Sequence, residues 1–190
     1  MKAGRTIEAM LQELARQSAA KEDYLVNTSC LVMETDGSVP TLRMAGREEV
    51  QLSPLGIRPT AHQQIGTYLG IPAKYYGKML AEDTELLAYN VNRWFQRNPE
   101  QRMLRTIDGH ARAFLSNRYR RIENLDIARF TLPRLAELDG ARVESCEVTE
   151  DRMYIKVVNP RLQAEVVPGD VVQAGVIISN SETGQGAVWV

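Results

Sequence analysis

The chain has 190 residues, 44% hydrophobic and 25% charged, with a formal net charge of −1. This is the profile of one soluble globular domain with enough chain to bury a core, and it excludes a bulk charge that would draw the whole molecule to nucleic acid or to an anionic membrane, so such binding must come from a local patch. The start, MKAGRTIEAMLQELARQS, lacks the apolar run of a signal peptide, and no stretch approaches the roughly 18 apolar residues that span a bilayer.

In chain order, Ile7, Met10, Leu11 and Leu14 recur at helical spacing and predict a short amphipathic helix within residues 1–20. Punctuation by Gly37, Pro40, Gly46 and Pro54 then encloses two short strands, SCLVME and EEVQLS. From Thr60 to Asn98 the period is helical: TAHQQIGTYLG, PAKYYGKMLA opened by Pro72, and DTELLAYNVNRWFQRN capped by Asp83 or Thr84. QRMLRTIDGHARAFLSN carries two alternating runs around Asp108-Gly109, a strong hairpin signal. NLDIARFTLPRLAEL reads as a helix bent near Pro133, and the rest as strands: ARVESCEVTE, RMYIKVVNP, QAEVVPG, DVVQAGVIISNS and QGAVWV. Helices and strands are grouped rather than alternating. The expected fold is therefore α+β, a twisted and mostly antiparallel sheet with a helical layer, in a single domain over residues 1–190. The last strand runs to the final residue, which predicts a continuation of the natural protein or an edge paired with another chain.

The hairpin carries the functional expectation. A two-residue turn with regular alternation sets Arg105 opposite Arg112 and Met103 opposite Phe114, with Ile107 and His110 on the same face. The other face, with Arg102, Leu104, Thr106, Ala111, Ala113 and Leu115, is small and mostly apolar and the better core. Two arginines facing each other on an exposed surface repel, and an anionic ligand relieves them. One reading pairs each arginine with a carboxylate from a neighbouring element, for example from ELLAYN or ESCEVTED. The other has the pair grip phosphates, with Phe114 and Tyr119 stacking on bases and Arg118, Arg120 and Arg121 extending the basic track. Lys74 and Lys78, beside Tyr68, Tyr75 and Tyr76, form a second basic and aromatic patch, for which helix packing is the plainer explanation.

LGIPAKYYGKMLAEDTELLAYNVNRWF, RTIDGHARAFLSNRYRRIENLDI and GDVVQAGVIISNSETGQGAVWV, in that order, resemble the phage/plasmid-like family called domain of unknown function 932, over roughly Leu52 to Val190. The resemblance implies a mobile-element setting and a natural chain that continues past the last strand. It assigns no reaction, and no catalytic residue is carried over from it.

Other chemistry is weakly signalled. His62 and His110 are the histidines, and Cys30 and Cys146 are far apart in strand-like runs, outside any C-x-x-C. That spacing signals neither a zinc site nor a disulfide framework, and it fits a reduced cytoplasm. In ESCEVTEDRMYIK the carboxylates Glu144, Glu147, Glu150 and Asp151 precede Lys156, but Tyr154 stands where a metal-dependent nuclease would carry its second acid. No cofactor, metal or membrane partner is expected, and the chain is read as non-enzymatic. The expected function is binding of nucleic acid, single-stranded DNA foremost, with strand annealing by a homo-oligomer as its use in recombination. The alternative is a protein-interaction module of a mobile element that binds a host factor.

Overall fold

The computed structural model describes residues 4–45, 53–186 and 188. The chain divides into two compact units, Met1–Ala19 with Arg120–Val190, and Ala20–Tyr119. Each is an α+β assembly, and strand pairing is mostly antiparallel.

In the central unit, the described strands are β1 (Lys21–Asn27), β2 (Leu31–Glu34), β3 (Thr41–Met44), β4 (Leu55–Ile57), β5 (Gln101–Ile107) and β6 (His110–Ser116). They form one sheet in the order β1-β5-β6-β4-β3-β2. All pairs are antiparallel except β4 with β6, where Gly56 pairs with His110. The imidazole of His110 crosses Gly56 so closely that an added Cβ would lie 2.5 Å from its Cδ2 and would displace the ring. The β5–β6 turn is made by Asp108 (φ 48°) and Gly109 (φ 72°). Positive φ at both positions gives the two-residue turn that matches strand twist, as the Asp-Gly pair predicts.

Three helices supply the expected helical layer: α2 (Pro59–Tyr68), α3 (Ala73–Glu82) and α4 (Thr84–Arg97). Pro59 opens α2, where its missing N–H has no helical partner to lose. The Asp83 carboxylate accepts the Leu86 N–H at 2.9 Å and caps α4. The core beneath joins Leu42, Ile65, Leu87, Val91, Leu104 and Phe114. Asn92 of α4 clamps the edge of β2 like a neighbouring strand. Its Oδ1 accepts the Met33 N–H at 2.7 Å and its Nδ2 donates to the Met33 carbonyl at 2.8 Å.

The other unit is built from the two ends of the chain. It contains α1 (Ile7–Ala20), α5 (Asn124–Ala136), β7 (Arg142–Val148), β8 (Met153–Val167) and β9 (Asp170–Asn180), with the strands in that order in one antiparallel sheet. Met10 and Leu14 of α1 and Leu125 and Ala128 of α5 pack on Cys146, Ile155 and Ile178.

Several expectations change. SCLVME begins in a short 3-10 turn, Thr28–Cys30, before β2. EEVQLS lies, but for its last residue, outside the described residues. The strands β1, β3 and β4 have no counterpart in the sequence reading, because each is short or charged and none alternates cleanly. NLDIARFTLPRLAEL is a helix as expected, α5, with Pro133 inside it. RMYIKVVNP and QAEVVPG are one strand, β8, not two. Asn159-Pro160 is absorbed by a register shift between Asn159 and Gln163, where a proline needs no ladder N–H. Of QGAVWV, Gln185, Gly186 and Val188 are outside any strand, and the remaining residues lie outside the described ones.

Candidate nucleic-acid interface

The expected arginine face does not form. β5 and β6 pair as Thr106 with Ala111 and Arg105 with Ala113, so Arg112 is an extra residue taken up in a bulge. The shift sets Leu104 opposite Phe114 and Met103 opposite Leu115, one residue out of phase with regular alternation. Both faces of the hairpin are buried. Phe114 joins the main core with Phe95, 5.8 Å between stacked ring centroids, and its N–H donates to Gln64 Oε1 at 2.7 Å. Met103, Ala113 and Leu115 form a smaller cluster against which Tyr119 packs.

The arginines follow the strands. Arg105 is 1% exposed and Arg112 6%. Strand β1 pairs with β5 so that Asp23 lies opposite Arg105, and Arg105 Nε meets Asp23 Oδ1 at 2.8 Å. The internal-carboxylate reading therefore holds for Arg105, but the acid comes from a strand that sequence reasoning missed, not from ELLAYN or ESCEVTED. Arg105, Arg112 and Phe114 are corrected from an exposed binding face to interior positions. His110 is partly buried, its Nδ1 2.8 Å from the Asp108 carbonyl. Arg118, Arg120 and Arg121 are exposed on the segment that leaves the hairpin.

The second patch fares differently. Lys74 and Lys78 are exposed on α3, with Lys78 Nζ 3.8 Å from Glu82. Tyr75, between them, is half exposed. Tyr76 and His62 face inward instead, with Tyr76 Oη and His62 Nδ1 2.9 Å apart. Burial holds the His62 imidazole down to about 4, so it is neutral in the fold, and pushes the Tyr76 phenol up. Tyr68 is partly buried and bonds the Asn98 carbonyl through its Oη.

Helix α4 contributes residues that the sequence reading passed over. Tyr89 is 67% exposed, Trp94 is also exposed, and Arg93 and Arg97 are exposed beside them. Tyr89, Arg93 and Arg97 recur every four residues and share one helix face. The Arg97 guanidinium sits 5.2 Å from the centre of the Trp94 ring. The four-residue spacing was legible, but in an amphipathic helix with a buried Phe95 it reads as an ordinary solvated side. Charge is also sorted. Glu82, Asp83 and Glu85 cluster where α3 meets α4, with Lys78 one turn away and paired with Glu82, while Lys74, Arg93 and Arg97 lie farther from that joint. The helices pack side by side, with Asn90 Nδ2 3.4 Å from Met79 Sδ.

Arg102, which regular alternation places on the core face of the hairpin, was given no role by sequence reasoning. Its guanidinium lies 4.5 Å from the Tyr68 ring centre and 5.0 Å from that of Phe114. Its Nε is buried without a hydrogen-bond partner, and burial lowers its pKa. Here the cation packs on aromatic faces of the core edge.

Among the described residues, no group of three or more His, Cys, Asp or Glu side chains is placed to hold a metal ion, and no helix is long and apolar enough to cross a membrane. Comparison with protein-family models, curated proteins and solved structures finds no match to this chain.

Proposed function

We propose that this chain binds single-stranded nucleic acid, DNA foremost, through the exposed faces of α3 and α4, and that it does so without catalysing a reaction. One observation carries the reading: the solvent-exposed aromatics Tyr75, Tyr89 and Trp94 are interleaved with Lys74, Lys78, Arg93 and Arg97. Exposed rings cost solvation free energy, and base stacking returns it in a sequence-tolerant way. Neighbouring cations neutralise the phosphates that connect the stacked bases. The net charge of −1 leaves such binding to a local patch, and the acidic residues of these two helices, Glu82, Asp83 and Glu85, sit at the α3–α4 joint. The resemblance to domain of unknown function 932 supplies the setting, a mobile element in whose recombination such a protein holds or anneals strands.

The test is fluorescence anisotropy of a labelled single-stranded oligonucleotide at two salt concentrations. The wild type binds with an affinity that falls log-linearly with salt. An Arg93→Ala/Arg97→Ala variant binds more weakly, and its salt slope is shallower by about 0.7 for each phosphate that is no longer neutralised. Quenching of Trp94 emission by the oligonucleotide, absent in Trp94→Phe, reports stacking directly. Absence of binding at low salt, or binding that ignores the double substitution, refutes the assignment.

A second reading, a protein-interaction module, is favoured by exposed aliphatic side chains on β8 and β9. It predicts association that is insensitive to salt.

A further inference from the structure

Arg102 sits in β5 between Val26 of β1 and Ser116 of β6. Pairing is regular from Arg102 to Leu104, so these two residues share one face, and Leu104 belongs to the core beneath the helices. Arg102 therefore faces the helical layer at the end of that core. The Tyr68 and Phe114 rings, edge to face with centroids 5.5 Å apart, take its guanidinium at 4.5 and 5.0 Å. Both rings are themselves held. Tyr68 is tied by its Oη to the Asn98 carbonyl at 3.2 Å, and Phe114 is tied by its N–H to Gln64 and stacked on Phe95.

What this cation lacks is an acceptor. A guanidinium carries five N–H donors. Among the described residues none accepts a hydrogen bond from that of Arg102: Nε is buried without a partner, and no carboxylate stands within ion-pair distance. Glu100 is the acid whose charge it feels, at longer range. Other arginines of the same sheet differ, since Arg105 holds Asp23 at 2.8 Å and Arg43 holds Glu34 at 2.6 Å. Partly burying a cation without a counter-charge costs solvation that attraction to the rings offsets only in part. Because Nε is the buried atom, the donor edge left to a ligand is the Nη1–Nη2 fork. A rigid, planar, weakly hydrated fork matches two oxygens of a phosphate group, as a lysine ammonium would not. The position suits that ligand. Asn98, which holds Tyr68, follows Arg97 and ends α4, so Arg102 lies past the last turn of the helix that carries Arg93, Trp94 and Arg97.

We infer that the Nη1–Nη2 edge of Arg102 is a phosphate-binding site that takes one phosphate group bidentately. The source that fits its position is a backbone phosphate of the strand bound by α3 and α4. That source rests on the nucleic-acid reading, whereas the site itself does not.

Two arms test it. In the first, thermal unfolding of the full chain is followed in inorganic phosphate and in chloride of equal ionic strength. At several times its dissociation constant, phosphate raises the melting temperature of the wild-type central unit by about 2–4 °C. Arg102→Lys keeps a positive charge without the fork, and Arg102→Met keeps the stem against the rings without the charge. Both lose the rise, with circular dichroism unchanged. A wild type that melts alike in the two salts overturns the site with no substitution needed, and so does a rise that survives in Arg102→Lys. In the second arm, anisotropy of the labelled single-stranded oligonucleotide is read on the same proteins. With the strand as source, Arg102→Lys weakens binding about tenfold at an unchanged salt slope, and Arg102→Met also makes the slope shallower by about 0.7. Phosphate protection that the variants lose at unchanged strand affinity assigns the site to a free phosphate group instead. A wild type that binds no strand removes the nucleic-acid reading, and the phosphate arm then decides the site alone.

Discussion

Arg105 is buried with its counter-charge, and its contribution follows from that. Asp23 is itself only 14% exposed at the side chain, so removing the guanidinium leaves a carboxylate with little water around it. Breaking a buried pair from one side typically costs about 3–5 kcal/mol. Arg105→Ala therefore lowers the unfolding free energy in urea by about 3 kcal/mol, while the folded fraction keeps its oligonucleotide affinity. Loss of affinity at unchanged stability would instead return Arg105 to a binding role. His62 makes the fold sensitive to acid. Its folded pKa of about 4 lies below the ordinary 6.5, so the unfolded chain takes up a proton that the native state does not. The stability linked to His62 is complete above pH 6.5 and is lost as pH falls from there toward 4, at about 1.4 kcal/mol per pH unit. Urea titrations across that window read the slope, and His62→Gln flattens it.

At the level of elements, what was legible depended on the length and cleanness of the pattern. The helices α2, α3 and α4 were readable because each carries a 3.6-residue period, and α3 and α4 also open on a start signal, Pro72 and Asp83. The β5–β6 turn was readable because Asp-Gly is the pair that tolerates positive φ twice. Strand β1, KEDYLVN, was not readable, because three charged residues open it and its fit comes from pairing with β5 rather than from alternation. Missing β1 also hid Asp23, and with it the destination of Arg105. The candidate site was half legible for a related reason. Lys74 and Lys78 stand out beside the tyrosines of α3, but exposure of Tyr89 and Trp94 is decided by which side of α4 meets the sheet, and Val91 and Phe95 settle that only in three dimensions.

On the scale of the whole molecule, the central unit is an insertion between α1 and α5, which belong to the other unit. Each unit has its own buried cluster of aliphatic and aromatic side chains. The outer unit joins residues on both sides of the insertion, so its sheet cannot close on α1 until the chain beyond Arg120 is available, and its contacts are the slow, non-local kind. Two cores in one chain give each unit its own unfolding transition, and Arg105 and His62 both report on that of the central unit. The bulge at Arg112 governs how the gene tolerates changes in length. Removing Arg112 leaves Ala111 followed by Ala113, already partners of Thr106 and Arg105, so the ladder closes without a change of phase. Removing Ala113 shortens the chain equally but moves Arg112 into its place, opposite Arg105 at a position with no solvent exposure. Two chains identical in length should therefore differ sharply in thermal unfolding: the first melts cooperatively, and the second, carrying two like charges face to face in the interior, does not fold.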